Sequence, residues 1–333
     1  MRWMDRIERR IKLRDLHILL ALVESGSMGR AAKLLAISQP VVSKSIADLE
    51  HVFGVRLLER TSQGVEATVY GRALLNCSIA VFDDLRQGMQ EVAFLSDPTV
   101  GELRVGGAGP FIDGLIPAAI ARLADRYPRI AFHVSESDPA TLCGMLRERR
   151  IDLAVLRTSP ASRGVDLESE ALCEEPLLVI AGLDNPLSRR RKIELGDLLG
   201  EPWTLPEAGN VAGDLIADGF RSAGVTPPTP QVVSDSTTVR TRLVEMGRFL
   251  TLLPGSTLHF GAGRLRVKIL PVTLMIKAPP IEIITVKNRT PKAIARLFVA
   301  ELHAVAERLK KDRREVQSVM LRNKRVISTT LAK

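Results

Sequence analysis

Between residues 27 and 50 the chain reads SMGRAAKLLAISQPVVSKSIADLE, two short helix-period stretches joined through Ser38-Gln39-Pro40. No other segment restricts the fold as much. Proline fits the first turn of a helix and serine is a favoured cap, so a helix is predicted to begin at Ser38. Along it Val42, Ile46, Leu49 and Phe53 fall at i, i+4, i+7 and i+11, which makes one buried stripe. Pro40, Ser43, Lys44 and Ala47 take the opposite side, which is short, polar and only lightly charged. A helix that merely packs carries long charged side chains toward solvent, whereas a face this lean can enter a groove. The B-DNA major groove, about 12 Å wide, admits a helix whose N-terminal residues reach base edges, with glutamine suited to adenine, lysine to guanine and serine to either.

The flanking segments complete a module. Leu16, Leu19, Leu20 and Val23 repeat at helical spacing until Ser25-Gly26-Ser27 interrupts them, and Ser27 can cap a second helix with Met28, Ala31, Ala32 and Leu35 inward. After Gly54, VRLLERTSQGVEAT reads as a hairpin turning at Thr61-Ser62-Gln63-Gly64, with Arg60 placed to reach a phosphate or the minor groove. Residues 1–69 are thus predicted to form a helix-turn-helix with a wing.

From Tyr70 to Phe94 no proline intervenes, and Leu75, Ile79, Phe82, Leu85, Met89 and Val92 recur at steps of 4, 3, 3, 4 and 3, close to the heptad period. A lone helix over residues 70–97 can bury such a stripe only against a second copy of itself or a neighbouring domain. Leu75, Ile79, Phe82, Leu85 and Met89 are therefore the predicted dimerisation surface. A dimer also suits a DNA reader, since it sets two recognition helices about one turn of duplex apart.

Ser96-Asp97-Pro98 ends that helix, and from Gly101 strand-like runs alternate with helical ones, the βαβαβ pattern of a parallel sheet. A second such series and a final strand and helix suggest an α/β domain over 98–310 in two lobes, about 101–173 with 274–310, and about 174–273. Ligands of open α/β sheets bind beyond the carboxyl ends of the strands. The residues there are small or hydroxylic and precede helices, whose first amides suit an anion or a sugar hydroxyl. The candidates are Gly107, Ala108 and Gly109, Ser137, Asp138 and Thr141, Arg157, Pro206, Ser234 and Ser236.

The net charge of +9 is uneven, with eleven Lys/Arg against seven Asp/Glu in residues 1–60 and nine against two in 308–333. Basic ends suit an acidic polymer, although a basic tail over 311–333 can equally be solvated and unpartnered. Cys77, Cys143 and Cys173 form no CxxC pair and the histidines, at 17, 51, 133, 259 and 303, show no metal spacing. The charged start MRWMDRIERRIKLRD lacks the apolar region of a signal peptide, and no run reaches the roughly 18 apolar residues of a membrane span. A cytoplasmic protein with no membrane, metal or cofactor partner is expected. GGAGP lacks the third glycine of GxGxxG and the Lys-Ser/Thr of a P-loop, and there is no Gly-x-Ser-x-Gly, so no catalytic residue is assigned.

Arg14-Asp15-Leu16, Ser27 to Ala32, Ser38 to Ile46, Leu49-Glu50 and Gly54 to Arg60 together resemble the N-terminal domain of LysR-type transcriptional regulators. FLTLLPGS and RRIDLAVLRTS resemble the effector domain of the same family, which looks like a periplasmic binding protein. The resemblance implies a winged helix-turn-helix, a linker helix and a two-lobed α/β effector domain. It implies that bases and phosphates are met by Gln39, Pro40, Ser43 and Lys44, with Ser27 and Ser38 at the two helix starts and Arg60 on the wing. Lys44 stands where the family usually has arginine, and Ala67-Thr68-Val69-Tyr70-Gly71 replaces the common Leu-Thr-Glu/Pro-Ala-Gly. Partners implied are double-stranded DNA, a small effector (a sugar, an aromatic or another organic acid), further copies of the chain up to a tetramer, and RNA polymerase. The run from Arg60 to Gly101 is similar to a subgroup that includes regulators of sugar uptake and of aromatic-acid breakdown. The competing reading is a two-lobed binding protein or enzyme whose N-terminal helices only dimerise it; it leaves the wing and the basic excess unexplained.

Overall fold

A computed structural model of the chain describes residues 10–61, 64–97, 99–158, 163–260, 265–272, 274, 276 and 278–310, with backbone alone at 60 and 61. The predicted tail at 311–333 lies outside the described residues. The chain divides into two compact units, Met1–Val92 and Ala93–Lys333.

In the first unit α1 (Leu13–Ser25), α2 (Met28–Leu34) and α3 (Gln39–Phe53) bury one core of Leu19, Leu22, Ala31, Val42, Ile46 and Leu49. Gly26 ends α1 in the left-handed region at φ 68°, its amide donating to Leu22 O, a conformation that favours glycine. Ser27 then caps α2 by accepting from Arg30 N at 3.2 Å. Strands β1 (Leu58–Thr61) and β2 (Gly64–Ala67) pair antiparallel with Thr61 opposite Gly64, which makes the expected wing; its turn, Ser62-Gln63, lies outside the described residues. Val65 N donates to Gly26 O at 3.1 Å, and a Cβ on Gly64 would sit 2.5 Å from that same oxygen. The wing therefore docks on the end of α1 only because residue 64 has no side chain. Glu50 on α3 fixes its other end, accepting from Leu57 N (2.8 Å) and Leu58 N (3.3 Å).

Thr68 keeps the start of the long helix α4 (Val69–Ser96) in place, since its hydroxyl donates to Arg56 O and accepts from Gly71 N at 3.0 Å. Helix α4 has 28 residues and so runs about 42 Å. Its apolar stripe is split. Leu75 and Phe82 pack against the core of their own unit and Ile79 is half-buried, whereas Leu85, Met89 and Val92 are 49, 66 and 66% exposed. Of the expected dimerisation residues, Leu75 and Phe82 are thus shared in part with the winged-helix core, while the C-terminal end of the stripe is exposed.

In the second unit β3 (Val100–Gly107), β4 (Arg129–Glu136), β5 (Leu153–Leu156), β6 (Leu167–Cys173) and β12 (Ile281–Val286) form one sheet in the order β4-β3-β5-β12-β6. Helices α5 (Leu115–Arg126), α6 (Pro139–Arg147) and α10, over residues 293–310, cover it. Leu103, Val105, Leu115, Ile116, Ile283 and Phe298 are buried in its core. Strand β3 is parallel to β4 and β5, as expected, but β12 is antiparallel to both β5 and β6. The chain re-enters the sheet from the second lobe, at the end where β5 and β6 leave it, so β12 must run the other way.

The second lobe carries β7 (Leu177–Gly182) between antiparallel β10 (Leu250–Pro254) and β11 (Val267–Ile269), and a parallel pair β8 (Thr204–Leu205) and β9 (Val232–Val233). Its helices are α7 (Val211–Ser222), α8 (Thr237–Glu245) and α9 (Gly255–Phe260). Its core is built on Trp203 and Phe220, packed edge to face. Leu270 and Leu274 belong to this core, so the return to the first lobe comes at Ile281 and not at 274. No helix among the described residues is long and apolar enough to cross a membrane.

Candidate nucleic-acid interface and effector crevice

Helix α3 sorts its residues as its periodicity requires. Val42, Ile46 and Leu49 are buried and Phe53 is half-buried, while Ser38, Gln39, Pro40, Ser43, Lys44 and Ala47 are all exposed. Apart from Lys44 and Gln39 the expected reading side carries only short side chains over its first two turns. Ser38 takes the cap position of α3 with extended backbone, but its side chain makes no capping bond. Ser27 does cap α2, and its hydroxyl also accepts from Arg30 Nε at 3.2 Å. The side chain of Arg60 lies outside the described residues, although its backbone pairs with Val65 in the wing. Ser45 faces the other way from its neighbours 43 and 44: it is buried and donates to Asp15 Oδ1 at 2.6 Å, joining α3 to α1.

The carboxyl ends of β3, β4 and β5 gather most first-lobe candidates at one edge. Ser137 N donates to Gly107 O at 3.3 Å and Ala108 N to Val155 O at 3.2 Å. Asp138 caps α6, accepting from Ala140 N (2.9 Å) and Thr141 N (3.0 Å), and its bonds from the Thr141 hydroxyl and amide hold its carboxyl below the usual range. Asp138 and Thr141 thereby satisfy each other as an ordinary cap. Across the crevice, Pro206 is buried at the end of β8, Ser234 N donates to Leu205 O, and Ser236 caps α8 by accepting from Val239 N at 3.3 Å. A Cβ on Gly109 would lie 3.3 Å from Thr237 Oγ1, so this glycine lets the two lobes approach at the start of α8.

Arg157 does not project as a ligand group. Its Nε donates to Pro279 O at 2.9 Å and one terminal nitrogen to Glu175 O at 3.2 Å, so it ties together the two segments that cross between the lobes. Burial pulls its pKa down, opposed by the charge of Glu175. Glu175, itself buried, accepts from Ser256 N (2.6 Å) and Ser256 Oγ (2.7 Å). Arg157, expected as an effector contact, thus has two of its nitrogens engaged as a staple between these crossing segments.

Residues outside the predicted set form a buried polar cluster in the second lobe, at the start of α8. Thr251 Oγ1 donates to Thr204 O at 2.7 Å and accepts from Arg240 at 3.3 Å, and Arg240 stands one turn along α8 from Thr237. All four are buried, and Thr204 Oγ1, Thr237 Oγ1 and Arg240 Nε have no hydrogen-bond partner within the protein. Buried donors without partners are costly, and such groups mark places where a ligand or water bonds. Burial lowers the Arg240 guanidinium to about 10, against the favourable charge of Asp235. The one sign in the sequence is a cation on the inward stripe Thr237, Arg240, Val244.

Known proteins match both units. Residues 13–72 match the bacterial regulatory helix-turn-helix proteins of the lysR family, and residues 96–307 match the LysR substrate binding domain. The RuBisCO operon transcriptional regulator of Allochromatium vinosum is 31% identical over 216 residues, 65% of this chain and 70% of that protein. The HTH-type transcriptional regulator GbpR of Azospirillum brasilense is 26% identical over 90% of this chain and 88% of its own length. Among solved structures, full-length CbnR complexed with its target DNA is similar with a TM-score of 0.52 at 24% identity, covering 89% of this chain and all of that one.

Proposed function

The chain belongs to the LysR family of DNA-binding transcriptional regulators, and from that footing we propose that α3 is inserted in the major groove with Gln39, Pro40, Ser43 and Lys44 toward the base edges. Like its matched relatives it is a transcriptional regulator, with a substrate-binding effector domain, and not an enzyme. The observation that carries the groove reading is the division of α3 into a buried apolar stripe and a compact exposed face. Lys44 meets a guanine or a phosphate as a point charge, without the bidentate geometry of arginine. Two such helices in a dimer, held through Leu85, Met89 and Val92 of α4, read paired half-sites, and in this reading the regulator works in the cytoplasm with RNA polymerase as a further partner.

The effector is taken to be a small organic anion. Arg240, Thr237 and Thr204 favour an acid over a neutral sugar, because a buried cation with an unfilled donor gains most from an opposite charge. An acid bound there would favour one arrangement of the lobes over another and so change how the dimer presents its two readers.

Footprinting on DNA from beside the gene, with and without a panel of organic acids and sugars, tests both halves. Ser43→Ala with Lys44→Ala is expected to weaken specific binding at least about tenfold, to reduce the salt slope by about one and to leave the melting temperature unchanged. Unaltered DNA affinity in that folded double variant would remove α3 from the groove. An effector found among the sugars alone would remove the acid.

A further inference from the structure

At the end of the first lobe where β5 and β6 begin, the starts of those strands, the end of β12 and the first turns of α10 line a solvent-open cavity of about 450 Å³. Its floor is apolar, made by Leu153, Ile283, Val286, Ala295 and Val299. Its walls differ in sign. The side leading into α10 carries Arg289, Lys292 and Arg296 around the single carboxylate of Asp152, a net positive wall, and the side formed by β6 carries Glu168 and Glu170.

The basic wall is held in place. Asp152, 7% exposed, receives Lys292 Nζ at 2.9 Å, Arg289 at 3.6 Å and the Arg104 amide at 3.0 Å. Arg289 and Lys292 are themselves only 8 and 13% exposed. Two nearly buried cations beside one carboxylate, near the positive end of the α10 dipole, raise the potential at this wall. The acidic wall is open to solvent: Glu168 accepts from Thr285 Oγ1 at 3.3 Å, and Glu170 is paired with His303 Nε2 at 2.5 Å. A ligand with one charge would be attracted at one wall and repelled at the other. A ligand carrying both charges, with a short hydrocarbon between them and the floor, is attracted at both.

We propose that this cavity is a second small-molecule site, separate from the interlobe crevice, and that it takes a small aliphatic α-amino acid. The carboxylate faces the Arg289, Lys292 and Arg296 wall, the ammonium faces Glu168, and the side chain lies on Leu153, Ile283 and Val299.

The test is calorimetry on the full chain with L-leucine, with 4-methylpentanoate, which lacks the amino group, and with isoamylamine, which lacks the carboxylate. Leucine is expected to bind, and each singly charged analogue at least about tenfold more weakly. Val299→Trp fills the cavity and is expected to abolish leucine binding while DNA binding persists. Glu168→Lys, a change at an exposed position that leaves folding intact, is expected to weaken leucine at least about tenfold and to spare or improve 4-methylpentanoate. Absence of leucine binding to the folded protein, equal binding of the analogues, or leucine binding unchanged in both Val299→Trp and Glu168→Lys would overturn the assignment.

Discussion

Ser43 and Ser45 are two residues apart on one helix and have opposite fates. Ser43 is exposed on the reading face, and Ser45 is buried with its hydroxyl 2.6 Å from Asp15 Oδ1. A hydrogen bond to a charged acceptor contributes about 1.5–3 kcal/mol, so Asp15→Ala, which strands the buried hydroxyl, should lower the stability of the N-terminal unit by that order. Ser45→Ala should cost less, and a double-mutant cycle read by denaturant unfolding should show a coupling; additive effects would mean the bond contributes nothing. The sequence made Ser43 legible because periodicity assigns faces, and Ser45 lies at the margin of the apolar stripe where a serine could turn either way. Arg240 was harder to read. Its partner Thr251 is eleven residues on, in another element, and only the fold shows that this cation points inward.

At the scale of elements, α4 is the best-read part of the chain: a proline-free run with heptad-like steps was predicted over 70–97 and spans Val69–Ser96. What the steps could not disclose is which turns the neighbouring core would claim. Leu75 and Phe82 serve that core, so acidic substitutions there should unfold the winged helix before they inform on assembly. Leu85→Asp with Met89→Asp is the cleaner probe, since both side chains are mostly exposed. It should yield monomers in sedimentation velocity with the N-terminal melting transition preserved. A dimer surviving that double change would place self-association elsewhere. Strand direction is legible only locally: β3, β4 and β5 are joined by helical crossovers, the connection that parallel pairing needs, whereas β12 returns after a whole lobe and local pattern says nothing about the side from which it enters.

For the molecule as a whole, the second lobe is an insertion between β6 and β12 of the first. Arg157 and Glu175 clasp the two passages, and Phe298, Leu302 and Val305 of α10 are buried against strands nearly two hundred residues earlier in the chain. A chain ending after Pro280 lacks β12 and α10. It should lose protection of β3 and β5 in hydrogen exchange while the winged helix still unfolds cooperatively; retained protection of β3 would show that the first lobe closes without them. The same insertion sets an order of events on the ribosome. The DNA-reading unit and then the second lobe emerge complete, but the first lobe waits as an open half-sheet until α10 has left the exit tunnel. The nascent regulator can thus acquire its reading head well before the lobe that frames its effector, and the interval between the two is the time taken to translate more than two hundred residues.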